Sequence, residues 1–403
     1  MAGGAEGFYK EGAMKENKRL LEIGAAILLT ALLIAWAVVL QLTEPDREAT
    51  AARKRMFAVA KVTRVLADDA ATDAWTEGRR LGEQLLEVEI LTGKHKGETL
   101  QTYNYLSAYL NVDAKVGSRI IVRLDYDDNG EVYIISVPNY DRAPVLIGLM
   151  LVFAALLIVI GRKKGVMALL GLAYTLASLW FVLIPMLLRG AEPVLISIII
   201  VALTTVACLV MLTGFSRKTL CAVLGCVSGA AVAGIFAAIA GTLSPLNGFN
   251  MSEAEELVLR AYDSELHISG LFVSGILIAS LGAVMDVAMS ISSACWELRS
   301  VNPAMPRREL FRSGMNIGRD AMGTMTNTLI LAFSGASVNM LLLFQVYDYP
   351  LIQIFNTDAM AMEVIRGIAG SIGIVLAVPL VAALSAWLMK PQPAKPLPQA
   401  RKR

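Results

Sequence analysis

Hydrophobic positions follow two different periods along this chain. Between residues 57 and 137 apolar and polar side chains alternate in short runs, at 57-67, 84-92, 97-101, 119-125 and 131-137. FAVAKVTRVLA and RIIVRLD are two of them. A period of two is that of a strand with one face buried, so these runs predict five strands. GKHKGE (93-98) and DYDDNGEV (125-132) supply the Gly, Asn and Asp that tight turns require. Five short strands predict a small β-barrel of OB-like or SH3-like form.

Elsewhere the apolar runs are long and unbroken. About 20 apolar residues in a helix cross the hydrocarbon of a bilayer, and eight stretches qualify: 20-40, 145-161, 165-187, 193-214, 219-242, 269-291, 321-345 and 365-389. The fold class predicted is therefore an α-helical polytopic membrane protein of about eight spans carrying one small β-rich domain. Its parts are an N-terminal segment with a signal-anchor helix (1-41), the β-rich domain (42-143), a seven-helix membrane domain (144-389) and a basic tail (390-403). The first span follows Lys10, Lys15, Lys18 and Arg19, as a signal peptide would, but its uncharged run from Ile23 to Gln41 exceeds the usual apolar core, which favours an uncleaved anchor.

Composition agrees, with 56% hydrophobic and 17% charged residues and a mean hydropathy of +0.59, outside the range of soluble domains. The net charge of +2 gives no basis for binding nucleic acid. Placement of the charges sets orientation: with the N-terminus inside, the inner segments hold 19 Lys and Arg, whereas the three short outer loops hold only Arg189, Arg260 and Arg366. Both termini are expected in the cytoplasm and residues 42-143 outside. Four cysteines (Cys208, Cys221, Cys226, Cys295), none in the β-rich domain, and two distant histidines (His95, His267) offer no metal-ligand spacing, so neither disulfides there nor a metal or other cofactor is expected. No nucleophile has a base within reach in sequence, and an enzyme is not expected.

Chemistry concentrates in two spans. In 269-291, extended a few residues, Gly275, Ala279, Gly282, Asp286, Ser290 and Ser293 recur at spacings of three and four and share one helix face. A mid-membrane carboxylate costs about 2.5 to 3.5 kcal/mol on insertion scales, so Asp286 is expected to meet a cavity, a partner or a proton path, with an interfacial or structural role as the alternative. In RSGMNIGRDAMGTMTNTLILAFSG (312-335), Asn316, Asp320, Gly323, Asn327 and Ser334 share a face, with Thr324 beside it, and Arg319 is the nearest counter-charge. Gly225, Gly229, Ala233, Ala237 and Gly241 recur every fourth residue and predict a helix-packing groove, and Gly282 is expected to pack as well. Ser252 and Glu255 form a capping box opening an amphipathic helix toward His267.

With GAVMDVAMSISSACWEL (282-298) and SGMNIGRDAMGTMTNTLILAFSG (313-335) in view, the chain resembles the YibE/YibF family of bacterial multi-spanning membrane proteins. That resemblance covers most of 57-389 and implies a plasma-membrane location, but no activity. It further implies, as partner, a second copy or a YibF-like chain. Residues 275-335 are also distantly similar to SecD/SecF and resistance-nodulation-division permeases. That likeness implies Asp286 as a proton carrier and Glu297 as the acid ending the helix. Two extra spans, a smaller outer domain and Val287 in place of a second acid depart from that pattern. The function expected is a secondary transporter or export-related permease of unidentified substrate, with Asp286, Ser290, Glu297, Asn316, Arg319, Asp320, Thr324 and Asn327 along its pathway. The alternative is an assembly or sensing protein whose outer domain binds a partner or envelope ligand.

Overall fold

The computed structural model describes residues 35-36, 38-40, 55-127, 129-251, 254-260 and 265-391. Most of the first expected span therefore lies outside the described residues. The chain divides into two compact units, one of residues 44-157 and the other of 1-43 with 158-403.

In the smaller unit the alternating runs are strands. β1 is Arg55–Asp68, β2 Ala71–Thr72, β3 Arg80–Ile90, β4 Thr99–Leu106, β5 Arg119–Tyr126 and β6 Val132–Tyr140. All pairings are antiparallel: β1 lies between β3 and β5, β6 follows β5, and β4 pairs the far side of β3. The sheet curls until β4 meets β6, where Thr102 Oγ1 donates to Ile135 O at 2.8 Å. Ala58, Ala60 and Val62, Leu86, Val88 and Ile90, and Ile120, Val122 and Leu124 alternate along their strands and fill the interior. Each fully buried Val, Leu or Ile contributes about 1.5 to 3 kcal/mol by leaving water.

One end of this interior is polar. The buried Gln84 side chain accepts from Ala114 N at 3.1 Å and from Asn104 Nδ2 at 3.0 Å, and donates to Asp68 Oδ2 at 3.1 Å. Arg80 bridges Asp68 at 2.5 Å and Asp113 at 2.8 Å. These bonds fasten the 107-118 connection onto β1, β3 and β4. The Arg80 guanidinium holds the Asp68 carboxyl below its ordinary value, with Gln84 helping and burial opposing.

In the larger unit the helices are α1 (Ala143–Ser178), α2 (Ile184–Leu188), α3 (Pro193–Thr213), α4 (Arg217–Leu243), α5 (Ala254–Arg260), α6 (Leu271–Val301), α7 (Arg307–Ala336), α8 (Val338–Val346), α9 (Leu351–Asn356) and α10 (Asp358–Leu388). α1 begins in the smaller unit. Among the described residues five helices are long and apolar enough to cross a membrane, counting Ala143–Leu188 as one, and six if the bent pair α7–α8 is also one. Eight spans were expected. The two expected at 145-161 and 165-187 form a single run, broken at Arg162, whose φ of 50° and ψ of −129° are not helical. A π-helical turn, Leu179–Leu183, precedes Pro185, which has no N–H to continue the α-helical ladder. The expected seventh span is bent by 56° between α7 and α8.

α4, α6, α7 and α10 form the core. The small-residue groove of α4 holds α10. A Cβ on Gly229 would lie 2.9 Å from Ala377 Cβ and 3.1 Å from Gly373 O, and one on Gly373 only 2.8 Å from Gly229 O. A Cβ on Gly225 would overlap Val381, and one on Gly241 would meet Leu246 O at 2.9 Å. At Gly229 and Gly373 glycine lets the two helix backbones approach closely, and at Gly225 it makes room for the Val381 side chain.

Candidate functional site

α7 packs through a narrow stripe. A Cβ on Gly318 would meet Val378 and Ile291, and one on Gly314 would meet Cys295 and Ala382. Leu310, Gly314, Gly318 and Leu329 are buried along this stripe. Asn316, Asp320, Gly323 and Asn327 are exposed and lie about 180° around the helix from it at 100° per residue. A chain crossing lipid normally turns its polar side inward, and here the inward side of α7 is apolar.

α6 is built alike. Phe272, Ile276, Val284, Val287, Ile291 and Cys295 are buried against the core. Ala279, Gly282, Asp286, Ser290 and Glu297 are exposed, with Gly275 and Ser293 half-buried beside them. The stripe read from the sequence is thus a continuous surface face. Gly282 was expected to pack, yet a Cβ placed there meets nothing within 4 Å.

These contacts also set relative height. α6 and α7 run antiparallel, with Gly318 against Ile291 and Gly314 against Cys295. Counting equal steps along both helices, Gly323 is level with Asp286, Asn327 with Gly282, Arg319 with Ser290 and Asn316 with Ser293. Arg319 is therefore one turn, about 6 Å, along the bundle from Asp286. Among the described residues neither Asp286, Arg319 nor Asp320 has a hydrogen-bond or ion-pair partner. Thr324 and Thr328 spend their hydroxyls on backbone, donating to Ala321 O and Thr324 O at 2.9 Å each. Of the residues expected to act together, Asp286 and Arg319 thus lie one turn apart in height, and the side chains of Asp286, Arg319 and Asp320 are unpaired among the described residues.

Three features were not anticipated. Arg299, near the end of α6, is buried and donates to Pro303 O and Met305 O, fixing the turn into α7; a basic residue in the last turn of a helix was the available signal. A cavity of about 310 Å³ lies between α7, α8 and α10, lined chiefly by Phe333, Ser334, Ser337, Leu341, Glu363 and Gly367. Glu363 there pairs with Arg366 at 2.5 Å. On the β-rich unit, Phe57, Tyr103, Tyr105, Tyr109 and Trp75 are exposed, and the Tyr103 and Tyr105 rings stack at 6.3 Å. His95 lies in a turn between Glu98 (2.8 Å) and the Tyr126 hydroxyl (3.1 Å). His267 is exposed, and Ser252 of the expected capping box lies outside the described residues.

The family model described as YibE/F-like protein matches residues 149–391, and that of the YibE/F family N-terminal domain matches 57–137. Comparison with curated proteins and with solved structures gave no match. The likeness to SecD/SecF permeases gains no support from these matches. With the membrane-type helices under one family model and the curled sheet under its companion, the chain belongs to the YibE/F family.

Proposed function

We propose that this protein is a secondary permease of the plasma membrane whose pathway follows the polar faces of α6 and α7, with Asp286 as the group that exchanges a proton or contacts the substrate. The observation that carries the reading is Asp286 itself, unpaired among the described residues in the middle of a 31-residue helix and level with the polar stripe of α7. No stable membrane protein leaves a carboxylate and three amide or acid groups against acyl chains, because each lacks a partner there. A hydrated path along these faces supplies one.

In this reading the N-terminus, the Arg162–Lys164 break, the α6–α7 turn and the basic tail are cytoplasmic. α1 with α2 then serves as two spans, since the run Ala143–Leu188 holds 46 residues, enough for two crossings, and is broken at the non-helical Arg162. With the anchor at 20-40 the count is eight, and residues 42-143 are outside. The strand order, with β4 closing toward β6, supports an OB-like barrel there.

Reconstitution in liposomes with a pH-sensitive dye tests the permease. Asp286→Asn abolishes proton-linked flux while the protein still inserts and elutes as the wild type does. Full flux from Asp286→Asn at every pH sinks the proposal.

The exposed aromatic surface of the β-rich unit favours a second reading, an assembly or sensing protein whose outer domain binds a partner. Deleting 57-138 separates the two: the permease keeps flux and loses only partner binding. An intact protein that never shows flux fits the sensor.

A further inference from the structure

We infer that the exposed faces of α6 and α7 meet their own counterparts in a symmetric pair of this chain, with Arg319 of each copy reaching Asp286 of the other. This deepens the permease reading, on which it rests for the identity of the pathway, by naming its second wall.

Charge and height carry the inference. Asp286 and Arg319 are both exposed, both unpaired among the described residues and one helical turn apart in level. In acyl chains neither charge is satisfied, whereas facing each other across an interface they form a charge-assisted pair. A two-fold axis along the membrane normal keeps every residue at its own depth while exchanging the copies. The cation therefore arrives where the carboxylate needs it, twice, and the patch is self-complementary as such symmetry demands. An unrelated partner would need its own cation at that depth.

Shape agrees with charge. Gly275 and Gly282 have nothing within 4 Å of an added Cβ, and so does Gly323, which is level with Asp286. Small residues let a second helix come close. Asn316 and Asn327 then face polar groups of the second copy or water held between the copies, and each chain contributes half of the polar lining.

Co-expression of two differently tagged full-length chains, Gly282→Cys on one and Asn327→Cys on the other, tests this in native membranes. The four native cysteines are free and buried, so a wild-type pair gives the background. Mild oxidation is expected to yield an adduct carrying both tags, and a pair with Ile239→Cys, on exposed α4 surface, yields none. An absent adduct, with both new thiols still labelled by a membrane-permeant maleimide, overturns the inference; so does an equal adduct from Ile239→Cys. Independently, Asp286→Arg is expected to abolish co-purification of the two tags, and adding Arg319→Asp to the same chain restores it. Lack of rescue in a double variant that inserts and elutes normally overturns the charge pairing. Full flux from liposomes reconstituted at no more than one copy per vesicle refutes the pair and leaves the permease. A cross-linked pair without flux leaves the pair and removes the permease.

Discussion

Substituting Gly373 tests whether the α4–α10 crossing sets the membrane core. A Cβ at Gly373 would sit 2.8 Å from both Gly229 O and Ala233 Cβ, whereas ordinary contact begins at 3.4 Å. α10 must then move about 0.6 Å away from α4, a gap of the size that forfeits a quarter to a half of the dispersion energy of facing atoms. Neither obstacle is a flexible side chain, so the strain cannot be absorbed locally. Overpacking of this kind costs about 1 to 3 kcal/mol, and replacing a helical Gly returns about 0.5 to 1 kcal/mol. The expected net loss for Gly373→Ala is about 0 to 2.5 kcal/mol, centred near 1. Unfolding in mixed micelles by graded sodium dodecyl sulfate, followed by helical circular dichroism, measures it. Gly148→Ala, at a position with nothing within 4 Å, is the control and should be neutral or slightly stabilising. Gly229→Ala presses on the same crossing, so the double variant should cost less than the two singles added. If Gly373→Ala is as stable as Gly148→Ala, the overpacking cost is missing and the close crossing is not what holds α10.

Other outcomes concern the β-rich unit and the α6–α7 turn. Because Asp68 is held below its ordinary value, the unfolded chain binds more protons there, so this contribution is full above pH about 4 and disappears as pH falls through the depressed value. Arg80→Met should therefore raise the pH at which pepsin first cuts within 107-118 of the intact protein; an unchanged onset refutes it. Tyr140 donates its hydroxyl to Asp113 O at 2.8 Å, and burial pushes it above its ordinary value. Its contribution is present below pH about 10 and is lost as pH rises toward the higher native value, so Tyr140→Phe, costing about 1 kcal/mol at neutral pH, should flatten the alkaline limb of the stability profile. Arg299→Ala removes the donors to Pro303 O and Met305 O and should speed hydrogen exchange across 302-310, with no change in 219-242.

Much of this architecture was legible because each element obeys a single period. The alternating run at 57-67 announced β1 without saying which face turns inward, since Phe57 and Val59 are as apolar as Ala58 and Ala60, and the four-residue repeat of α4 announced a close helix neighbour. The neighbour itself was half legible: Gly370, Gly373 and Ala377 form a shorter small-residue pattern in the last span, but nothing in their spacing says that they meet Gly229. The 107-118 connection was missed for a related reason. Its anchors, Asp68, Arg80, Gln84, Asn104 and Asp113, are scattered over 46 positions, and each alone looks like a solvated strand residue. The break at Arg162 was visible as a basic run, whereas the π turn near Pro185 depends on backbone geometry that one proline does not specify.

The candidate site divides along the same line. Which residues share a face follows from 100° per residue and needs only the sequence, and the stripes of α6 and α7 appear as drawn. Which way a face turns depends on what the opposite side packs against. On α7 that was decided by Gly314 and Gly318, whose missing Cβ atoms admit Val378, Ala382 and Cys295. Four apolar positions, Leu310, Gly314, Gly318 and Leu329, thereby outweigh the polar stripe in choosing the inner side. The polar stripe is then left open among the described residues. A sequence pattern alone would have turned Asn316, Asp320 and Asn327 inward to line a pore within one chain. The glycines forbid it: to rotate α7 by half a turn would bring Asn316 and Asp320 against Val378 and Ile291, burying an acid without a partner at a cost of several kcal/mol.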